Sequence, residues 1–394
     1  MSDRISRRIL EAILAEVELP DSAYERAYRR YHDLGEWFQR PEAACHPFDP
    51  HVYAQGSFRL GTVVLSDEYD LDMGCRLRSG LSKASHTQRA LKHLVKADLA
   101  AYRTARGIEH GVEEKPRCWR LRYKDELSFH LDAVPSIPAD QAQQVTMVRA
   151  MAEAGVPAPL SEAVANHAGS ITDNRLPNYA IISPDWPVSN SEGHALWFEH
   201  RMRTISPGFA QGFMTAGQVD ELPAYRRKTP LQRCVQLLKH HRNTHFAGRT
   251  DLMPASVLLT TLAAHAYQGE GDLVLALQRI LADMGGKVRA SFPRVPNPVN
   301  PEEDFADRWG RPEGRQLDLE GNFWAWLRQA QNSFAAILSS RDAGDLAELV
   351  KEHLRIPISP ERLGASVGLG APAVPASPRV QQLGANVPRP WCRE

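Results

Sequence analysis

The 394-residue sequence predicts an α+β fold in which a short mixed sheet packs against an α-helical lobe. Three observations lead to this prediction. Asp70 and Asp72 alternate with apolar residues over 69–73, which is typical of a strand with one buried face. Apolar residues recur at helical spacing in two stretches before residue 40. From residue 197 onward the pattern is almost entirely helical.

The same patterns predict the elements in order. Two N-terminal helices are expected at 5–17 and 24–38, and they are followed by a connector at 41–50. Strands are expected at 51–55, 62–65, 69–77 and 117–134, helices at 85–105, 139–154 and 158–168, and a structured loop at 169–195. Later helices are expected at 197–203, 228–246, 254–268, 272–284, 320–339 and 344–354, interrupted by a proline-rich linker at 292–301.

These elements divide the chain into four parts. Residues 1–50 form bracing helices, 51–196 a sheet-containing lobe, 197–356 a helical lobe, and 357–394 a mobile tail with few large apolar groups.

Composition excludes several classes of function. With 47 basic and 47 acidic residues the net charge is zero, so no global field attracts nucleic acid. The charge is nevertheless uneven, because residues 222–250 contain no acidic side chain and seven Lys or Arg. Five cysteines, without the close pairs of a zinc site, indicate reduced thiols. No run of about eighteen apolar residues and no signal peptide are found, so we expect a cytoplasmic protein without a membrane segment.

Asp70 and Asp72 are the principal candidates for chemistry. Residues i and i+2 of a strand share a face, and two adjacent carboxylates repel each other unless a cation neutralises them. Mg²⁺ is bound in proteins by one or two carboxylates together with substrate phosphates. Gly56 and Ser57 offer a bend, a backbone N–H and a hydroxyl for a triphosphate. The alternative for the aspartates is an ordinary solvated strand face.

Other segments strengthen this interpretation. Gly56-Ser57, followed after twelve residues by the Asp70 motif, resembles the signature of DNA polymerase β-like nucleotidyltransferases. Residues 56–62 resemble the bacterial cGAS/DncV-like enzymes, the CD-NTases that make cyclic oligonucleotides in CBASS anti-phage operons. Further segments similar to that family occur in order at 129–135, 183–190, 197–198, 231–242 and 297–309. The resemblance covers residues 5–355 and implies that 51–196 is a nucleotidyltransferase catalytic lobe.

The resemblance also implies roles for particular residues. Asp132 would supply a third carboxylate, and the three aspartates would hold two Mg²⁺ ions, or Mn²⁺ in their place. Asp125 and Glu126 compete for that role, but they lie in an apparent hairpin turn. The residues expected to bind nucleotide are Gln55, Gly56, Ser57, Arg59, Lys239 and Ser256.

Each nucleotide contact has a structural alternative. Lys239 would reach the terminal phosphates of a nucleotide or would be an ordinary surface lysine. Ser256 would pair with Lys239 or cap a helix after Pro254. Arg59 would contact phosphate or bind a neighbouring carboxylate.

Two more groups leave similar choices. Trp186 and Asn190 would touch a base at the lip of a cleft, or would pack on the helical lobe. The histidines His240, His241 and His245 lack a fitting cysteine or carboxylate, so a basic helix end is preferred to a metal site.

The favoured function is a Mg²⁺-dependent, template-independent nucleotidyltransferase. The resemblance implies synthesis of a cyclic oligonucleotide second messenger from ATP, either alone or with another NTP, and a cyclic trinucleotide such as cyclic tri-AMP as the product. It also implies a separate effector such as a nuclease, and a HORMA-type regulator. The alternatives are a nucleotidyltransferase that modifies a protein, drug or RNA end, and a catalytically silent nucleotide-sensing module.

Overall fold

The computed structural model of the protein describes residues 4–65, 68–123, 128–203, 219–222 and 228–369. Its helices are α1 (Arg4–Val17), α2 (Asp21–Gln39), α3 (Gly56–Leu60), α4 (Gln88–Ala105), α5 (Gln141–Glu153), α6 (Ala158–Ala165), α7 (Ser191–Arg203), α8 (Pro230–His245), α9 (Ser256–Ala266), α10 (Leu273–Asp283), α11 (Asp307–Gly310), α12 (Pro312–Gln316), α13 (Leu319–Ser339), α14 (Ala343–Leu354) and α15 (Pro360–Val367). Its strands are β1 (Pro50–Ala54), β2 (Glu68–Leu77), β3 (Glu113–Glu114), β4 (Trp119–Tyr123), β5 (Ser128–Pro138), β6 (Gly169–Ile171), β7 (Val188–Ser189), β8 (Pro296–Asn297) and β9 (Asn300–Asp304). The predicted α+β class is confirmed.

Seven strands form one mixed sheet, in the order β1-β2-β5-β4-β3, with β6 paired to β5 and β7 to β6. The central pair β2 and β5 is parallel, and the other pairs of this sheet are antiparallel. Along β2, Leu71 and Met73 are fully buried, whereas the alternate residues Asp70 and Asp72 point to the opposite face. Strands β8 and β9 form a separate hairpin.

Two hydrophobic clusters organise the chain. One is built on the sheet, and α2 and α4 contribute residues such as Tyr31 and Leu99 to it. The other unites the C-terminal helices with α1 and with residues of α5, α6 and α7. The N-terminal helices therefore contact both clusters. The helical cluster also includes residues that precede 197, the predicted start of the helical lobe: Met151 of α5 packs in the same cluster as Phe198 of α7.

The expected strand at 62–65 is absent. This segment follows α3, which ends at Gly61 in the left-handed conformation. Side chains of α8 bind its carbonyl groups: Gln236 donates to Val63 at 2.7 Å and Lys239 to Thr62 at 2.9 Å. Side-chain donors thus take the place of a neighbouring strand.

Four other boundaries differ from the expectations. The predicted strand at 117–134 is two antiparallel strands, β4 and β5. The expected loop at 169–195 contains β6, β7 and the start of α7, and the 292–301 linker contains β8. The expected tail begins with a packed helix, because Leu363 and Val367 of α15 are fully buried against the helical cluster. Asp125, Glu126 and residues 370–394 lie outside the described part of the chain.

Within the described ranges, none of the helices combines the length and the apolar character that crossing a membrane requires.

Candidate active site

The register of β2 and β5 brings the three predicted aspartates together. Asp72 is paired with Asp132, and Asp70 is paired with His130. The Asp70 side chain is 55% exposed, and His130 Nδ1 lies 3.3 Å from its Oδ1. Asp132 is buried. Two strands that are far apart in sequence therefore place their carboxylates at one point of the sheet.

Arg120 on β4 holds the third carboxylate. Its Nε and Nη2 donate to the two oxygens of Asp132 at 2.7 Å each, and Nη2 also lies 3.4 Å from Asp70 Oδ1. Bidentate pairing of this kind raises the pKa of Arg120, the hydrogen bonds to Asp132 being the largest cause. This arginine was not expected from the sequence. The alternation of Arg120 and Arg122 with apolar residues in β4 is the one pattern that could have indicated that both arginines lie on the polar face of a strand.

The carboxyl group of Asp72 has a raised pKa. Burial raises its pKa to about 7, and the neighbouring charges of Asp132 and Asp70 act in the same direction. Arg120 and Lys239 oppose this rise. A pKa of about 7 means that the Asp72 carboxyl takes up a proton close to neutral pH.

Gly56 is required by the position of Asp72. It has a φ of +60°, and a Cβ at this position would lie 2.4 Å from Asp72 Oδ2. The backbone N–H of Gln55 donates to the carbonyl oxygen of Asp72 at 2.7 Å, which fixes the turn against β2. Only glycine allows the carboxylate and the turn to approach this closely.

A cleft of about 950 Å³ opens in front of the aspartates. Of the expected site residues, those that line it are Asp70, Asp72, Gly56, Ser57, Arg59, Lys239 and Ser256. Gln55 and Asp132 are not among the lining residues: Gln55 precedes α3, and Asp132 lies beneath Arg120. The cleft thus collects most of the predicted site from β2, α3, α8 and α9.

Lys239 is buried at the cleft and is not an ordinary surface lysine. Its Nζ donates to the carbonyl oxygen of Thr62 at 2.9 Å. Burial lowers its pKa to about 7, and the charge of Arg242 contributes in the same direction, whereas Asp72 raises it. The charges of Lys239 and Asp72 therefore influence each other across the cleft.

Ser256 and Arg59 have protein partners. The Oγ of Ser256 accepts a hydrogen bond from Arg242 Nη1 at 2.9 Å, and the N-cap of α9 is Ala255, so the alternative role of Ser256 as a helix cap is not observed. Arg59 Nη1 lies 2.5 Å from Glu199 Oε1, which realises the carboxylate-binding alternative. Both residues nevertheless line the cleft.

Trp186 and Asn190 serve packing and capping. Trp186 is buried in the sheet cluster, and the structure does not place it on the cleft. Asn190 lines the cleft, but its amide is bound to Val164 O and Gly193 N at the start of α7. His241 accepts a hydrogen bond from Trp326 Nε1 and contacts Ser333 Oγ, so it belongs to the helical core.

The carboxylates fit a divalent cation in part. Asp70 and Asp72 line the cleft, and burial, followed by the charges of Asp132 and Asp70, raises the pKa of Asp72, so a cation beside these carboxylates would be favourable. Asp132 would be a further ligand, and in this structure both of its oxygens accept hydrogen bonds from Arg120. Among the described residues no group of three or more His, Cys, Asp or Glu side chains is already arranged to hold a metal ion.

The cleft also contains a carboxylate that sequence reasoning did not select. Glu303 on β9 lines the wall, and its Oε2 accepts a hydrogen bond from Asn297 Nδ2 at 2.8 Å. Both residues lie in the 297–309 segment, which was noticed only for its resemblance. The hairpin that they form could not be seen in a stretch with so many prolines.

Residues 50–135 match the family described as the cyclic GMP-AMP synthase DncV-like nucleotidyltransferase domain. A c-di-GMP synthase of Roseivirga ehrenbergii is 27% identical over 343 residues, which are 85% of this chain and 80% of that protein. The cyclic dinucleotide synthase CdnG of Bradyrhizobium diazoefficiens is 26% identical over 327 residues, 78% of this chain and 72% of that protein.

Solved structures share the fold. The structure of CdnG in complex with GTP has a TM-score of 0.62 and 21% identity, and the match covers 93% of this chain and 99% of that chain. The CdnC:HORMA complex of E. coli MS115-1 has a TM-score of 0.56 and 12% identity, covering 90% and 98%. Together with the domain match, these findings confirm the predicted CD-NTase resemblance and the nucleotidyltransferase class.

Proposed function

We propose that this DncV-like nucleotidyltransferase joins two nucleoside triphosphates into a cyclic dinucleotide and releases pyrophosphate. The observation that carries the proposal is the cleft itself, which gathers Asp70, Asp72 and Lys239 within a matched nucleotidyltransferase domain. The two relatives above, named as a c-di-GMP synthase and a cyclic dinucleotide synthase, support the product class. Their names favour a dinucleotide over the cyclic trinucleotide expected from the sequence.

The side chains of the cleft divide the work of phosphoryl transfer. A divalent cation, when held by Asp70 and Asp72 and then by Asp132, would neutralise charge on the reacting phosphate and favour loss of the proton from the attacking ribose hydroxyl. Lys239 binds phosphate as a point charge, and a triphosphate beside it favours its protonated form. Ser57, which precedes Asp70 and Asp72 in the Gly-Ser and Asp-x-Asp motif, lines the same cleft and offers its hydroxyl to the triphosphate.

Glu303 supports a guanine nucleotide as one substrate. The Watson–Crick edge of guanine presents two adjacent donors, the N1–H and the N2 amino group, and a carboxylate accepts from both. Adenine presents a donor beside an acceptor on that edge and gains less from a carboxylate. Since Asn297 binds only one oxygen of Glu303, the other remains for a base.

The test is incubation of the purified protein with labelled GTP, ATP or both, in Mg²⁺ or Mn²⁺. We expect a phosphatase-resistant product whose mass is that of a cyclic dinucleotide containing guanine. The Asp70→Asn/Asp72→Asn double variant should form none. Glu303→Gln should reduce the use of GTP more than that of ATP, whereas Glu302→Gln, at an exposed position outside the cleft, should not.

Other products would identify the alternative functions. A product with the mass of a cyclic trinucleotide would restore the ring size expected from the sequence. Label on a protein, drug or RNA end would indicate acceptor modification, and unchanged NTP would indicate a silent module. We also propose a HORMA-type regulator as a partner, by analogy with the CdnC complex. Co-elution with a HORMA protein, or a change in turnover on adding one, would test it.

A further inference from the structure

A second cavity of about 400 Å³ lies on the other side of the segment that carries β8, and we call it the hairpin pocket. Asn297 lines both cavities, so it separates the hairpin pocket from the cleft. The apolar part of the lining includes Val156, Pro157, Leu160, Leu262, Val295 and Pro296. Volumes of this size are typical of small-molecule sites.

The remaining side chains of the hairpin pocket give it a positive charge. Arg201, Lys287 and Arg289 line it together with His200 and His265, and of the described residues no carboxylate does. Arg201 donates to the carbonyl oxygens of Ala264 and Tyr267, at 2.9 and 2.7 Å. These bonds fix its guanidinium without neutralising the charge. Three cations therefore line one small cavity without an acidic partner in its wall.

The two exposed cations have no partners at all in the described chain. Neither Lys287 nor Arg289 forms a side-chain hydrogen bond or an ion pair with any described residue. The imidazole of His265 lies close to these charges: burial and, after it, the charges of Arg201, Lys287 and Arg289 together lower its pKa to about 4. Neutral at pH 7, this ring packs on Trp197, with 4.9 Å between the ring centroids.

We propose that the hairpin pocket binds a small molecule that combines an anionic group with an apolar body. The apolar wall would bury the body, and Lys287 and Arg289 would pair with the anionic group, which removes the repulsion among the cations. A small ligand fits better than an extended partner because the cavity is bounded by the hairpin and by residues of α6, α7 and α9. The proposal concerns binding and stands whether or not the cleft has the activity proposed above.

The test uses 2-naphthalenesulfonate as an anionic probe and 2-naphthalenemethanol as its neutral counterpart, with affinities measured by ligand-observed NMR titration. We expect the sulfonate to bind, and the alcohol to bind at least tenfold more weakly. The Lys287→Ala/Arg289→Ala variant should weaken sulfonate binding at least tenfold, because it removes two charge-assisted contacts. Both positions are exposed, so the variant should fold as the parent does.

The control removes the same charge elsewhere. Arg328→Ala/Lys351→Ala deletes two exposed cations that do not line the hairpin pocket, and sulfonate affinity should be unchanged. Three outcomes would overturn the proposal: no binding of the sulfonate at millimolar concentration, equal affinity in the Lys287/Arg289 variant and the parent, or an equal loss in the control variant. A Lys287→Glu/Arg289→Glu variant should abolish binding, and its retention would count equally against the site.

Discussion

Arg120 and Asp132 form a two-point ion pair at the centre of the candidate site, with both N–O distances at 2.7 Å. The same guanidinium lies 3.4 Å from Asp70, so one arginine neutralises carboxylates from two strands. A cation bound by Asp132 would share that carboxylate with Arg120. Arg120 therefore stabilises Asp132 in this structure, and we expect it to compete with a metal ion for the same oxygens.

The first prediction concerns Arg120→Gln. Without metal, the variant should lose about 2–4 kcal/mol of unfolding free energy, because Asp132 is left buried without its partner. Added Mn²⁺ should then raise Tm more in the variant than in the parent. The measurement is thermal unfolding in EDTA and across a Mn²⁺ titration.

Arg122→Gln on the same strand breaks a more exposed pair with Glu113 and should cost about 1 kcal/mol or less. Equal Mn²⁺ responses in parent and Arg120→Gln would show that the arginine does not compete.

Gly56→Ala should disrupt the site through a direct clash with Asp72, since the added Cβ would lie 2.4 Å from its carboxylate. Gly107→Ala is the matched control, because Gly107 has a φ of +62° and no atom within 4 Å of its Cβ position. Both variants should pay about 1–2 kcal/mol for the left-handed backbone. Only Gly56→Ala should also lose nucleotide turnover. Comparable turnover in the two variants would mean that the turn does not control the position of Asp72.

Asp70 and Arg120 show what the sequence could and could not predict about the site. The alternation around Asp70 indicates a strand, because strand periodicity is a local property. The pairing of Arg120 with Asp132 depends on the register between β4 and β5, which a single sequence does not specify. The strand predicted at 62–65 is wrong because of another long-range interaction. Its apolar residues are typical of a strand, but its backbone carbonyl groups accept hydrogen bonds from side chains of α8, which is distant in sequence. Ser256 lines the cleft, and the N-cap that the sequence offered as its alternative role falls one residue earlier, at Ala255.

The raised pKa of Asp72 predicts a pH dependence of the metal-free protein. Between the ordinary carboxyl pKa near 3.9 and the folded value of about 7, the folded state binds more protons than the unfolded state. Stability from this group is therefore complete below about pH 4 and is lost as pH rises through 7. Asp72→Asn should remove the loss and raise metal-free stability at pH 8 by about 1–3 kcal/mol. Asp185→Asn, at an exposed site, should leave the pH profile unchanged. A parallel profile for Asp72→Asn and the parent would contradict the assignment.

Lys239→Ala should mainly weaken nucleotide binding. Loss of one charge-assisted contact to phosphate corresponds to a rise of roughly ten- to over a hundredfold in the KM for NTP. Mn²⁺ binding to the empty site should persist, because Lys239 is no metal ligand. Steady-state kinetics and a Mn²⁺ titration by electron paramagnetic resonance give the two readouts. Lys351→Ala, on the exposed side of α14, is the control. An unchanged KM would return Lys239 to a purely structural role at Thr62.

The last prediction tests the helical lobe behind the site. His241 on α8 accepts a hydrogen bond from Trp326 Nε1 at Nδ1, at 3.1 Å, and its Nε2 lies 3.2 Å from Ser333 Oγ. This arrangement requires the neutral ring with its proton on Nε2. Burial lowers the pKa of His241 to about 3, and the neighbouring charges of His245, His353 and His240 contribute.

The sign of the pH effect follows from proton counts. Between pH 3 and the ordinary histidine value near 6.5, the unfolded chain binds a proton at His241 that the folded protein does not, so stability rises with pH across this window. At pH 5 the titration of His241 lowers the free energy of unfolding by about 2 kcal/mol relative to pH 7.

His241→Gln keeps an acceptor for Trp326 and does not titrate. The drop in Tm from pH 7 to pH 5 should therefore be smaller in this variant than in the parent. His110→Gln, an exposed histidine, should reproduce the parent profile. If His241→Gln loses as much stability between pH 7 and pH 5 as the parent does, the acid sensitivity of the helical lobe has another origin.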